Sequence, residues 1–171
     1  PMGSPLLILA HPGHELRLFG WMQQARPRVA ILTDGSGGAE SDRTAYSRAL
    51  LEAAGAVPSP ILGMASDRAW YAALLAGDPS PLLEAAERIA AAVADDPPSL
   101  IVCDPVEGYN PMHDLMAPLA ARVAAFLAPF GRTPVLATYP LMAGPGATAE
   151  RLASLSLDEA TTAAKRAAIA A

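Results

Sequence analysis

Thiol chemistry is almost absent from this chain. Its single cysteine, Cys103, excludes an internal disulfide and fits a reducing compartment. Aromatic residues are scarce, 5% against 52% hydrophobic residues in all, and much of the apolar content is alanine, a balance that favours helices over a core built on rings. No run approaches the ~20 uninterrupted apolar residues of a membrane span. The N-terminus lacks a charged segment followed by a long apolar one, so no secretory signal is read there. Basic charge is also short. A net charge of −5 argues against the broad basic face of a general nucleic-acid binder. These absences together lead us to expect a cytoplasmic protein with no membrane span and no nucleic-acid partner, a homo-oligomer being compatible with all of them. Neither an internal repeat nor a linker divides the 171 residues, a length that suits one domain with a proper core. Pro1 to Ser4 reads as a vector-derived leader, and the helical run reaching Ala171 reads as one that continues in the native protein.

What is present alternates. Leu6 to Ala10 is apolar on both faces and reads as a central strand of a parallel sheet. Leu16, Leu18, Phe19 and Met22 recur at helical spacing over Glu15 to Gln24. Val29 to Thr33 is a second strand. A helix capped by Ser41 or Asp42 then runs to Ala54, with Gly55 as its stop. Further strands are expected at Pro58–Leu62, Leu100–Cys103 and Pro134–Thr138. Further helices are expected from Asp67 to Leu75, from about Pro81 to Ala94, from His113 or Asp114 to Leu127, and from near Asp158 onward, with Tyr139 to Gly146 irregular. Strands alternating with helices imply an α/β fold, a Rossmann-like three-layer sandwich with a mostly parallel central sheet.

In such a sheet, ligands bind beyond the carboxyl ends of the strands. Three of those ends are polar: His11 to Glu15, Asp34 to Gly38, and Asp104 to His113. They hold all three histidines of the chain. Neutral imidazoles bind zinc, and a catalytic zinc keeps three protein ligands and an open position, so His11, His14 and His113 form a candidate metal set. The Asp34-Gly-Ser-Gly-Gly loop can cradle a phosphate, but it matches neither the dinucleotide fingerprint nor a P-loop, and a strand-to-helix turn is its plainer reading. Arg43 is a candidate for an anionic or hydroxylated substrate, and Tyr109 for a pocket wall. Trp21 and Trp70 read as packing residues, and Cys103, closing a buried strand, as inert. No Gly-x-Ser-x-Gly elbow is present.

Ala10-His-Pro-Gly-His-Glu15 resembles the Ala-His-Pro-Asp-Asp-Glu signature of the PIG-L / LmbE-like de-N-acetylases. The similarity continues in order along the chain. Leu32 to Gly38 looks like the second family motif, Arg43 followed by Gly55 like its Arg-to-Gly helix, and Leu62-Gly63 followed by Asp67 like the segment carrying a family aspartate. Glu107 to His113 resembles the loop that usually reads Glu-Gly-…-His-Pro-Asp-His. The resemblance implies a Rossmann-like fold and a divalent metal, usually zinc. It also implies removal of an acetyl group from an N-acetylglucosamine-type substrate. His11 and His113 fall on the first and last metal ligands, and His14 on the aspartate ligand between them. A set that has lost its carboxylate leaves the metal more electropositive. Gly13 stands where the family has its general-base aspartate, Asn110 where it has a further histidine, and Tyr46 where many members have glutamate.

The expected site follows from those positions. His11, His14 and His113 hold the metal. Asn110 helps to stabilise the oxyanion, and Arg43, Asp67 and Tyr109 bind substrate. Glu15, Asp34, Glu107 or Asp114 transfers the proton that Gly13 cannot, with Glu15 nearest in sequence. A relative that keeps the pocket and binds metal and a sugar-like ligand without deacetylation is the alternative.

Overall fold

The computed structural model of the chain describes residues 3–37, 41–131, 133–141 and 150–170. Five strands, β1 (Leu6–Leu9), β2 (Arg28–Thr33), β3 (Val57–Ala65), β4 (Leu100–Cys103) and β5 (Val135–Thr138), form one sheet in the order β3-β2-β1-β4-β5. Every pairing is parallel, with Leu7 opposite Val29 on one side and Val102 on the other. Helices cover both faces, which makes the molecule a Rossmann-like three-layer α/β sandwich.

β1 is the central strand, and all four of its residues are fully buried because both its faces are covered. Leu6 and Ile8 point to one layer, where they meet Trp70, Ile89, Leu119 and Val123 of α3 (Asp67–Ala76), α4 (Ser80–Ala92) and α6 (Met116–Leu127). Leu7 and Leu9 point to the other, with Phe19, Met22 and Leu51 of α1 (Phe19–Ala25) and α2 (Thr44–Ala53). Burying a leucine is worth about 1.5–3 kcal/mol, so this short strand contributes heavily to the sheet. Trp70 is buried with its indole N–H on the Leu32 carbonyl, and Trp21 packs on the opposite cluster; both are packing residues, as read from the sequence.

Several boundaries differ from expectation for identifiable reasons. The helix expected from Glu15 begins as a 3-10 turn over His14–Leu18 before α1, because Gly13 enters it at φ 103 with no side-chain cap. Neither Ser41 nor Asp42 caps α2. Arg43 occupies that position, and Asp42 accepts the Thr44 amide instead. β3 is longer than expected and its register slips against β2. As an edge strand it tolerates Pro58 and Pro60, which carry no amide hydrogen to pair. The helix expected from His113 begins earlier, as the single turn α5 (Pro111–Asp114), since Asn110 caps it by accepting the Met112 amide and Pro111 suits its first position. α7 (Glu159–Ala170) lies against α1 and α2. Gly20 makes room for the segment leading into it, for a Cβ there would stand 2.3 Å from a Leu157 methyl. Gly38 and residues 142–146 of the expected irregular stretch lie outside the described residues. Among the described residues no helix is long and apolar enough to cross a membrane.

Candidate metal centre at the strand ends

β2 and β3 lie on one side of β1, and β4 and β5 on the other. The polypeptide therefore reverses its direction of winding at β1, and the crevice beyond that point is where open α/β sheets bind ligands. His11 and His14 emerge from β1 there. Thr33 ends β2, Asp67 follows β3, Asp104 follows β4 and Tyr139 follows β5, so the polar residues after all five strands converge on one edge.

The His11 Nδ1 lies 2.9 Å from Asp67 Oδ1 and 2.9 Å from Thr33 Oγ1. Asp67, itself buried, takes the Gly37 amide on its other oxygen at 2.9 Å. The His14 Nδ1 lies 2.8 Å from Asp104 Oδ2. Asp104 has no exposed surface. The Ala10 amide donates to its Oδ2 at 2.8 Å and the Tyr139 hydroxyl to its Oδ1 at 2.5 Å. His113, on α5, completes the group. Its Nδ1 and the His11 Nε2 are both buried, and neither has a hydrogen-bond partner among the described residues. Burial followed by the neighbouring His14 holds the His113 imidazole below its ordinary range. Burial also lowers His11, against the opposing pull of Asp67. Both rings are therefore neutral at pH 7, the form that binds a metal.

The ring centres are 5.5 Å apart for His11 and His14, 5.2 Å for His11 and His113, and 4.6 Å for His14 and His113. Nitrogen ligands at about 2.1 Å put each ring centre about 3.2 Å from an ion, and tetrahedral angles then space the centres by about 5.2 Å. The observed triangle brackets that value. The two unpartnered buried nitrogens, His11 Nε2 and His113 Nδ1, fit the same donor set, since buried imidazole nitrogens otherwise find partners. Among the described residues no group of three His, Cys, Asp or Glu side chains is already placed to hold a metal ion. What the three histidines offer is their ring spacing and their donor chemistry.

No family model, curated protein or solved structure matches the chain. What the site can do follows from its own side chains.

An open cavity of about 650 Å³ adjoins His11, walled by Arg43, Asp67, Arg68, Tyr71 and Asn110 with the backbone of Gly35 and Gly37. Arg43 and Asn110, expected at the site, both lie on this wall. Asp67 reaches the wall too, but with both oxygens engaged, by His11 and by the Gly37 amide, it acts on the ring as much as on any ligand. Tyr109 is not on the wall. The chain turns at Gly108, at φ 68, and leaves the phenol 72% exposed; Tyr71 of α3 supplies the cavity's phenol instead and donates to Asn110 Oδ1 at 3.0 Å.

Three of the four carboxylates expected to move a proton, Glu15, Asp34 and Asp114, accept hydrogen bonds from their own surroundings. Glu15 is buried, accepting the Gly13 amide at 2.8 Å on one oxygen and the Ser47 hydroxyl at 2.5 Å on the other; it ties the β1 turn to α2 and is not on the cavity wall. Asp34 Oδ1 accepts the Ser36 amide, the Ser36 hydroxyl and the Asp67 amide, which closes the glycine loop as a tight turn. Gly35 is required in that turn, at φ 70 with Pro12 only 2.9 Å from where a Cβ would be. Asp114 accepts the Glu107 and Gly108 amides. Cys103 is buried and its thiol is pushed up to about 12 by burial and Asp104, so it stays protonated.

Sequence reasoning missed Asp104, Tyr139, Thr33, Tyr71 and Arg68. For Asp104 a signal existed. It directly follows a buried apolar strand, as His11 does, and a charged residue at that place faces the crevice.

Proposed function

We propose that this protein is a divalent-metal-dependent hydrolase of small-molecule amides, with N-acetylated sugars as the substrate class to test first. The observation that carries the reading is the triangle of His11, His14 and His113 rings, two of them backed by carboxylates at Nδ1. The ordered resemblance to the PIG-L / LmbE-like motifs supports the same chemistry. The three histidines would hold the ion, and neutral imidazoles suit zinc. Bound there, it would supply the Lewis acidity that amide hydrolysis needs.

The remaining residues divide the work by their free groups. Asn110 Oδ1 already accepts from Tyr71 and from the Met112 amide, so the group it has left to offer is its NH2. Asn110 thus serves as a donor to an acyl oxygen, not as a proton acceptor. Arg43 and Arg68 add donors for hydroxyl or charged groups of a substrate in the cavity.

The test is acetate release from a panel of N-acetylhexosamine derivatives by the zinc-loaded protein, beside His113→Ala. We expect release by the wild type and background rates for the variant. No release from any of them refutes the hydrolase. A second reading, a metal- and ligand-binding protein without turnover, is favoured by Gly13, which has no proton to move, and by the engagement of both Glu15 oxygens. Saturable binding of the same sugars without acetate release selects it.

A further inference from the structure

His14 stands where the family resemblance expects a carboxylate ligand, and a carboxylate lies directly behind it. We infer that Asp104, pinned by Tyr139, is the positioning residue that sets the tautomer of His14 and makes Nε2 its lone-pair nitrogen. The inference deepens the metal-centre reading and rests on it for its purpose. The tautomer itself stands on geometry alone.

Asp104 is surrounded by donors. The Ala10 amide can only donate, and it meets Oδ2 at 2.8 Å. The same oxygen lies 2.8 Å from His14 Nδ1, so that nitrogen must carry the proton. The Tyr139 hydroxyl meets Oδ1 at 2.5 Å. Burial, then Asp104 itself, pushes the phenol far above its ordinary range, so it stays protonated and donates. Three donors on a carboxylate with no exposed surface leave it no freedom to rotate. An imidazole whose Nδ1–H faces a carboxylate is a more basic ligand through its other nitrogen. The negative charge that the His14 position lacks is thus kept one group further out. His11 is held less strictly, because its Nδ1 divides between Asp67 and the Thr33 hydroxyl, which can donate or accept.

Two measurements test this, neither of them catalytic. In the metal-free wild type at mildly alkaline pH, long-range 15N–1H NMR should report His14 with a protonated Nδ1 and a bare Nε2; a proton on Nε2 overturns the inference. In zinc titrations, Asp104→Asn should weaken binding about 10- to 100-fold. In a His14→Ala background the same substitution should change affinity by less than about twofold, because the two act as one unit. Equal losses in both backgrounds, or no loss in the first, refute the positioning role. A wild type that binds no zinc refutes the metal centre of the preceding reading, and the His14 tautomer then decides the inference by itself.

Discussion

Asp67 and Asp104 each pair with a histidine Nδ1, at 2.9 and 2.8 Å, yet their surroundings differ. Asp67 sits on the β3 side, on the wall of the open cavity, where its other partner is the amide of a glycine loop. Asp104 sits on the β4 side, sealed beneath the Ala10 amide and the Tyr139 phenol. One half of the site opens on a cavity, and the other holds a ring still. A buried carboxylate is stable only when its donors are complete, so the sealed half is the more exacting and the less tolerant of substitution.

That contrast can be broken by substitution. Asp104→Ala strands two buried donors and the half-buried His14, and should cost about 3–5 kcal/mol in denaturant unfolding, while Asp67→Ala, with the Thr33 hydroxyl able to accept the His11 hydrogen bond, should cost about 1–2 kcal/mol. Equal costs would erase the distinction between the halves. Zinc at a hundredfold excess over its dissociation constant should stabilise the wild type by about 2.7 kcal/mol, and His113→Ala should remove most of that gain. Gly13→Asp, which would introduce a carboxylate into that turn, places a side chain at φ 103 and should cost about 1–2 kcal/mol. The Arg43 guanidinium, 3.7 Å from the new Cβ, would offer it a partner. If Gly13→Asp unfolds no more easily than the wild type, the turn is less rigid than its geometry implies.

The smallest effect is one of pH. His11 and His113 titrate below 6.5 in the folded protein and near 6.5 when unfolded. Between those values the unfolded chain binds more protons, so stability rises with pH. Metal-free protein should keep this contribution above pH 6.5 and lose it progressively below, as thermal unfolding across that range will register.

Much of the fold was legible, because buried parallel strands are apolar on both faces and Leu6–Leu9, Arg28–Thr33 and Leu100–Cys103 declare themselves. The histidines were legible as strand-end residues for the same reason. Three things were not. Strand order is a property of the whole sheet, so no local pattern says that β4 lies beside β1, and Asp104 was not singled out from its polar loop as a partner of His14. Glu15 follows the histidines in sequence, but a side chain two residues past Gly13 can fold back onto its amide, and this one does. Tyr109 was placed by loop membership, whereas a glycine at positive φ decides which way such a loop turns its side chains.

The hydrogen bonds of Asp104 span 94 residues to Ala10, 90 to His14 and 35 to Tyr139. Contacts so far apart along the chain close large loops and are made late, once the strands they depend on have paired. The order in which the site assembles follows. A nascent chain that has not reached Leu100 already carries His11, Thr33 and Asp67 and can seat the first ring, while His14 has nothing to settle against. The second ring acquires its seat only when β4 docks beside β1, and the carboxylate is fully clasped only with Tyr139. An incompletely folded chain would thus own half of the cluster, and a fixed His14 ring would report that the last strand is in place.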